Sequence, residues 1–129
     1  MVCFYLYFYD GDGNKIDREE VFRDRDSNRI HDPDDCRFYN MDIIKRDLIT
    51  SGRSDDDDDY LYSLENIMDA LRRVATEYRE TDTIEKIDEF DQAFKEIYQV
   101  SQLVSVARQY NLLHATNNKE IKYMAFGYD

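Results

Sequence analysis

The first nine residues, MVCFYLYFY, alternate without a polar break. Val2, Phe4, Leu6 and Phe8 fall on one face of an extended chain, and Cys3, Tyr5, Tyr7 and Tyr9 on the other. Both faces are apolar or aromatic, which predicts an inner strand, or one whose tyrosine face is half covered. The C-terminal KEIKYMAFGYD has the same character, with Ile121, Tyr123 and Ala125 opposing Lys122, Met124, Phe126 and Tyr128. The two ends are expected to share a sheet.

Between them the period changes to that of helices. Leu61, Leu64, Met68, Leu71, Ala75 and Tyr78 alternate spacings of three and four, a heptad seam. A second helix is expected from about Thr83 to Ala115, with Ile84, Ile87, Phe90, Phe94 and Ile97 as its apolar stripe. From Val100 to Leu113 the apolar positions spread around more of the circumference, which predicts fuller burial. The joint ETDT is short, so the two helices should form an antiparallel hairpin over about residues 60–115. Asn40 reads as the N-cap of a shorter helix, MDIIKRDLITSG, with Met41, Ile44 and Leu48 on one face and Gly52 at C′.

The polar region 10–40 divides less cleanly. DREEVF fits a short helix with Asp17 as N-cap and Glu20 in a capping box, or equally the return strand of a hairpin; CRFYN fits a short strand. No internal repeat is expected. The pattern predicts an α+β fold in a single domain spanning 1–129. A small antiparallel sheet built from the N- and C-terminal strands packs against a long antiparallel helical hairpin plus one shorter helix.

Charge changes the picture more than composition does. The chain of 129 residues is 42% hydrophobic, enough for one core, and its single Pro and four Gly exclude a linker-rich chain. It has 29 acids against 17 bases, a net charge of −12. Residues 10–35 hold ten acids and five bases, and Asp55, Asp56, Asp57, Asp58 and Asp59 stand in a row, so these two segments account for ten of the twelve net negative charges. A solvated loop capping the next helix needs one or two aspartates. The surplus points to solubility, cation binding or presentation of a polyanion to a basic partner. On the second long helix Glu85, Asp88, Glu89 and Glu96 are expected opposite the apolar stripe, as an acidic outer face interrupted by Lys86 and Lys95.

Candidate chemistry is sparse. YDGDGNKIDREEV opens like a calcium loop, with Asp10, Asp12 and Asn14 at the first, third and fifth positions and Asp17 beyond. Lys15 then occupies the sixth position, where the loop needs glycine, and Val21 the twelfth, where it needs a bidentate glutamate. A strand precedes it where a helix should. Gly11, Gly13 and Asn14 suit a hairpin turn, which is the preferred reading; a calcium site on Asp10, Asp12, Asn14 and Asp17 is the alternative. HDPDDC places His31 near Cys36 without the paired spacing of zinc sites, and reads as a turn. No nucleophile elbow, phosphate loop, HExxH or dinucleotide fingerprint is present, so no enzyme class is indicated.

The abundant tyrosines resemble base-stacking platforms, but such platforms need a cationic surround that this chain lacks. They fit better as the half-buried second face of the sheet, with a homodimer as one way to close it. Neither membrane nor direct nucleic-acid binding suits the charge. With no signal-peptide pattern, Cys3 and Cys36 are expected as free thiols in an intracellular, cytoplasmic setting. The expected function is that of a small acidic non-catalytic binding protein, an inhibitor or regulator. It would engage the basic surface of a nucleic-acid-handling protein by imitating DNA or RNA, through Asp55–Asp59, Glu85, Asp88 and Glu89. Small acidic inhibitors encoded by phages or mobile elements against host defence nucleases share this composition and size, though not this sequence. The alternatives are a calcium-responsive regulator using the 10–17 loop, and an oligomeric structural protein with no ligand.

Overall fold

The computed structural model describes residues 4–24, 26–30, 37–38, 42–53, 60–79, 87–114 and 119–128. Strand β1 (Phe4–Asp10) and strand β6 (Ile121–Tyr128) lie side by side and antiparallel at the centre of one sheet. Both termini therefore supply inner strands, as their two apolar faces require. The outer edge of β1 is shared by two short strands. β2 (Lys15–Ile16) pairs with Phe8 and Tyr9, and β3 (Arg37–Phe38) pairs with Phe4 and Tyr5. On the other side β6 pairs with β5 (Tyr60–Ser63), which pairs with β4 (Gly52–Arg53).

Helices cover one face. α3 (Leu64–Arg79) and α4 (Ile87–Leu113) run antiparallel: Val74 and Tyr78 meet Ala93 and Ile97 at one end, while Met68 and Leu71 face Ser101 and Val104 at the other. The main core lies beneath them. Leu6, Phe8, Met124 and Phe126 from the sheet meet Ile67, Leu71, Val100, Leu103 and Ala107 from the helices. Each large apolar side chain buried here contributes about 1.5–3 kcal/mol. The opposite face of the sheet holds Tyr9, Leu61 and Ala125, flanked by half-buried Tyr7 and Tyr123, so several tyrosines do form the second face. Tyr62 is on the helix side, its ring 5.9 Å from that of Phe126.

Ile121 does not share a face with Tyr123 and Ala125. The register shifts between Tyr9 and Asp10, so that Asp10 pairs with Ile121 and Lys122 is skipped; this bulge turns Ile121 into the main core. Leu61 belongs to a strand and not to the first long helix, because Tyr60–Ser63 completes the sheet beside β6 and the Ser63 hydroxyl caps α3 by accepting from the Asn66 N–H at 3.1 Å. Within α3, Ala75 is exposed, and Ile67, Ala70, Val74 and Tyr78 are buried.

The third helix is also shorter than expected. α2 spans Asp42–Lys45 and ends in tightened turns, with the Asp47 and Leu48 N–H groups bonding to the Ile44 and Lys45 carbonyls. The chain beyond is drawn off by other partners: Ile49 N–H to Asn66 Oδ1 at 2.9 Å and Ser51 N–H to the Leu61 carbonyl at 2.7 Å. Gly52 is consequently a β4 residue at φ +134° and not a helix terminator. Asn40 and Met41, the expected start, lie outside the described residues.

Finally, the chain does contain a short internal repeat. FYDGDGNKI, from Phe8 to Ile16, recurs fourteen positions later as FRDRDSNRI, from Phe22 to Ile30. The two copies fold alike. The Asp10 N–H donates to the Asn14 carbonyl and the Gly13 N–H to the Asp10 carbonyl; the Asp24 N–H likewise donates to the Asn28 carbonyl and the Ser27 N–H to the Asp24 carbonyl. Asp10 Oδ1 accepts from the N–H groups of Asp12 and Asn14, and Asp24 Oδ1 from those of Asp26 and Asn28, all at 2.9 Å. The Tyr9–Lys15 pairing recurs as an Arg23–Arg29 bridge. Between the copies sits α1 (Arg18–Val21), capped by Asp17, whose carboxylate accepts from the Glu19 N–H. Phe8 and Phe22, equivalent in the repeat, meet edge to face with centroids 5.8 Å apart.

Candidate functional site

The residues first considered for cation binding are those of the Asp10 turn. A four-residue loop there connects β1 to β2, and Gly13 at φ +84° supplies the left-handed residue it needs. The Asp10 carboxylate serves the turn: besides the two N–H donors on Oδ1, its Oδ2 accepts from the Asn14 side chain at 3.4 Å. Asp12 is exposed, and Asp17 is committed to capping α1. Among the described residues, no three of His, Cys, Asp and Glu are grouped so as to hold a metal ion.

The residues proposed for partner binding are placed unevenly. Asp55–Asp59 and Glu85 lie outside the described residues, as do Cys3, His31 and Cys36. Asp88 and Glu89 fall in the first turn of α4. In the repeat region Asp12, Asp17, Glu20 and Asp26 are exposed, so the acidity of residues 10–30 does reach solvent. Glu19 is partly neutralised by Arg23 at 3.5 Å and Arg29 at 3.4 Å.

Glu96, expected on the same outer face as Glu85, Asp88 and Glu89, is only 2% exposed. Its Oε1 accepts from the N–H groups of Ile43 at 3.1 Å and Ile44 at 3.2 Å, and its Oε2 from the Gln92 side chain at 3.0 Å. A carboxylate on α4 thus caps α2, doing for that helix what an N-cap side chain does elsewhere. Burial raises the Glu96 carboxyl above its ordinary value, assisted by nearby Asp42, while its three hydrogen bonds pull the other way. The acidic outer face therefore does not continue to this turn of α4.

A titratable cluster that the sequence did not suggest lies where α1 meets the end of α4. The Tyr110 hydroxyl donates to Glu20 Oε1 at 3.3 Å, and His114 stacks on the Tyr110 ring at 4.1 Å. Burial and the adjacent Glu20 carboxylate push the Tyr110 phenol up to about 12, so it holds its proton and acts as a donor. Glu20 and His114, with Arg23, Asp24, Ser27 and Leu113, line a recess of about 300 Å³. The Tyr110–Glu20 hydrogen bond ties α1 to α4. No helix among the described residues is long and apolar enough to cross a membrane. Compared with protein-family models, curated proteins and solved structures, the chain matches none.

Proposed function

We propose that this protein is a small acidic binding protein without catalysis, which engages the basic surface of a nucleic-acid-handling protein by presenting a polyanion in place of DNA or RNA. One observation carries the reading: ten of the twelve net negative charges fall in residues 10–35 and 55–59. Exposed Asp12, Asp17, Glu20 and Asp26 support it, because they put part of that charge at the surface. Contacts to the partner are assigned to Asp55–Asp59 together with Glu85, Asp88 and Glu89. The setting is cytoplasmic, and the composition is that of inhibitors carried by phages or mobile elements. Charges concentrated in this way raise association rates with a basic surface and make affinity depend steeply on salt.

The test is a pull-down from the native host, with the captured protein identified and its affinity measured against the wild-type chain and a variant with Asp55–Asp59 replaced by asparagine. The reading expects a basic, nucleic-acid-binding partner that the variant binds at least about tenfold more weakly, a loss of about 1.4 kcal/mol. A partner held equally well by the variant counts against it.

A further inference from the structure

Along α4, Phe94, Tyr98, Ser101, Ser105, Arg108 and Leu112 follow one another at spacings of four, three, four, three and four. That is a heptad seam, running about 27 Å along one line of the helix. It is not the seam that meets the core. Ala93, Glu96, Val100, Leu103 and Ala107 are buried roughly a third of a turn away. Phe94 is 61% exposed, Tyr98 57% and Leu112 81%. The fuller burial expected for this half of the helix is thus only partly realised: the apolar residues spread around the circumference because α4 carries two seams.

The free seam also departs from the rest of the chain in charge. From Ile97 to Leu113, Arg108 is the only charged residue, in a protein that is 36% charged and carries 29 acids. A helix face kept in water would share that charge.

The order of side chains says what covers it. Read in either direction from the midpoint between Ser101 and Ser105, the seam is complementary to itself. Reversed on a second copy, Phe94 meets Leu112, Tyr98 meets Arg108, and Ser101 meets Ser105. These are an apolar pair, a guanidinium on an aromatic ring, and two small residues that let the helices approach. Large knobs lie at the start of the seam, and a hole lies at its end: a groove of about 460 Å³ between α3 and α4, lined by Leu71, Val104, Ser101 and Ser105 among others. An antiparallel two-fold places each copy's aromatic knobs into the other's groove, so every contact is made twice. The lack of acid from Ile97 to Leu113 also lets two chains of charge −12 meet on a stretch that adds no negative charge.

We propose that this seam is the two-fold interface of a homodimer, with α4 of one protomer packed antiparallel on α4 of its partner. The proposal does not rest on the polyanion reading. The two respond oppositely to salt: screening weakens attraction to a basic partner and strengthens association of two acidic chains.

Sedimentation equilibrium over a range of protein concentration tests it. The wild-type chain should reach twice its 15.5 kDa mass, more completely as salt rises. Phe94→Glu alone, and Leu112→Lys alone, should each weaken dimerisation by about a hundredfold while leaving the circular dichroism unchanged, since both side chains are exposed. The two changes in one chain should restore most of the dimer, because the antiparallel two-fold sets each new acid beside the partner's new base. Tyr98→Glu reads the same seam if either change disturbs folding. A wild-type chain monomeric throughout, single variants that stay dimeric, or a double variant that stays monomeric would each overturn the proposal.

Discussion

The Ile43 N–H donates to Glu96 Oε1 at 3.1 Å, joining the first turn of α2 to the middle of α4 across 53 positions of sequence. With the Ile44 N–H on the same oxygen, one buried carboxylate satisfies two backbone donors of a helix only four residues long. Glu96→Ala should strand both donors in the core and lower stability by about 2–4 kcal/mol, read by denaturant unfolding. A loss below about 0.5 kcal/mol, within the range of ordinary surface changes, would show that α2 does not depend on this cap.

The same group sets a pH dependence. Because burial raises the Glu96 carboxyl above its ordinary 4.5, the folded state favours the neutral acid. Its contribution to stability is complete below that ordinary value and is lost as pH rises through the raised one. Glu96→Gln keeps an acceptor for the Ile43 and Ile44 N–H groups and cannot ionise. Its stability relative to wild type should therefore rise between acidic and neutral pH; a flat difference would mean that the carboxyl is not shifted.

The repeat makes an internal comparison. Ser27 holds φ +64° at the place where the first copy has Gly13 at φ +84°. A side chain there costs on the order of 1 kcal/mol. Ser27→Gly should therefore raise the melting temperature, and Gly13→Ala should lower it. If Ser27→Gly were destabilising, the two turns would not be equivalent.

Asp10 and Asp24 hold their turns through the same pair of N–H bonds. Either change to Ala should cost about 1–2 kcal/mol, and either change to Asn, which keeps an acceptor oxygen, distinctly less. Equal losses for Ala and Asn would place the contribution in the charge and not in the hydrogen bonds.

With its carboxylate given to the turn, Asp10 offers a cation little. Millimolar calcium should leave the melting temperature unchanged. A rise that Asp12→Ala abolishes would instead support the calcium-responsive alternative.

What could be read in the sequence was what local pattern controls. The terminal strands announce themselves because both of their faces are apolar. Asp17 fits the start of α1, since a capping aspartate acts within its own turn, but the same stretch fits a return strand equally well and only the structure decides for the helix. What escaped depends on partners distant in sequence. A glutamate on a helix reads as solvent-facing, and nothing near Glu96 reveals that α2 brings it two donors. The skipped Lys122 reverses the facing of Ile121 without a glycine to mark the bulge. The repeat was within reach, since Phe, Asp, Asp, Asn and Ile recur in order, but Arg25 and Ser27 in place of Gly11 and Gly13 disguised its turn. Phe94 and Leu112 are exposed although their spacing fits a core, because periodicity identifies a seam and does not say what it packs against.

Competition decides whether the acidity substitutes for nucleic acid on a basic partner. With the captured partner in hand, its nucleic-acid ligand should displace the chain from one shared site, and the affinity for the chain should fall steeply as salt rises. Simultaneous binding of chain and nucleic acid, with an affinity insensitive to salt, would mean that the chain does not imitate nucleic acid.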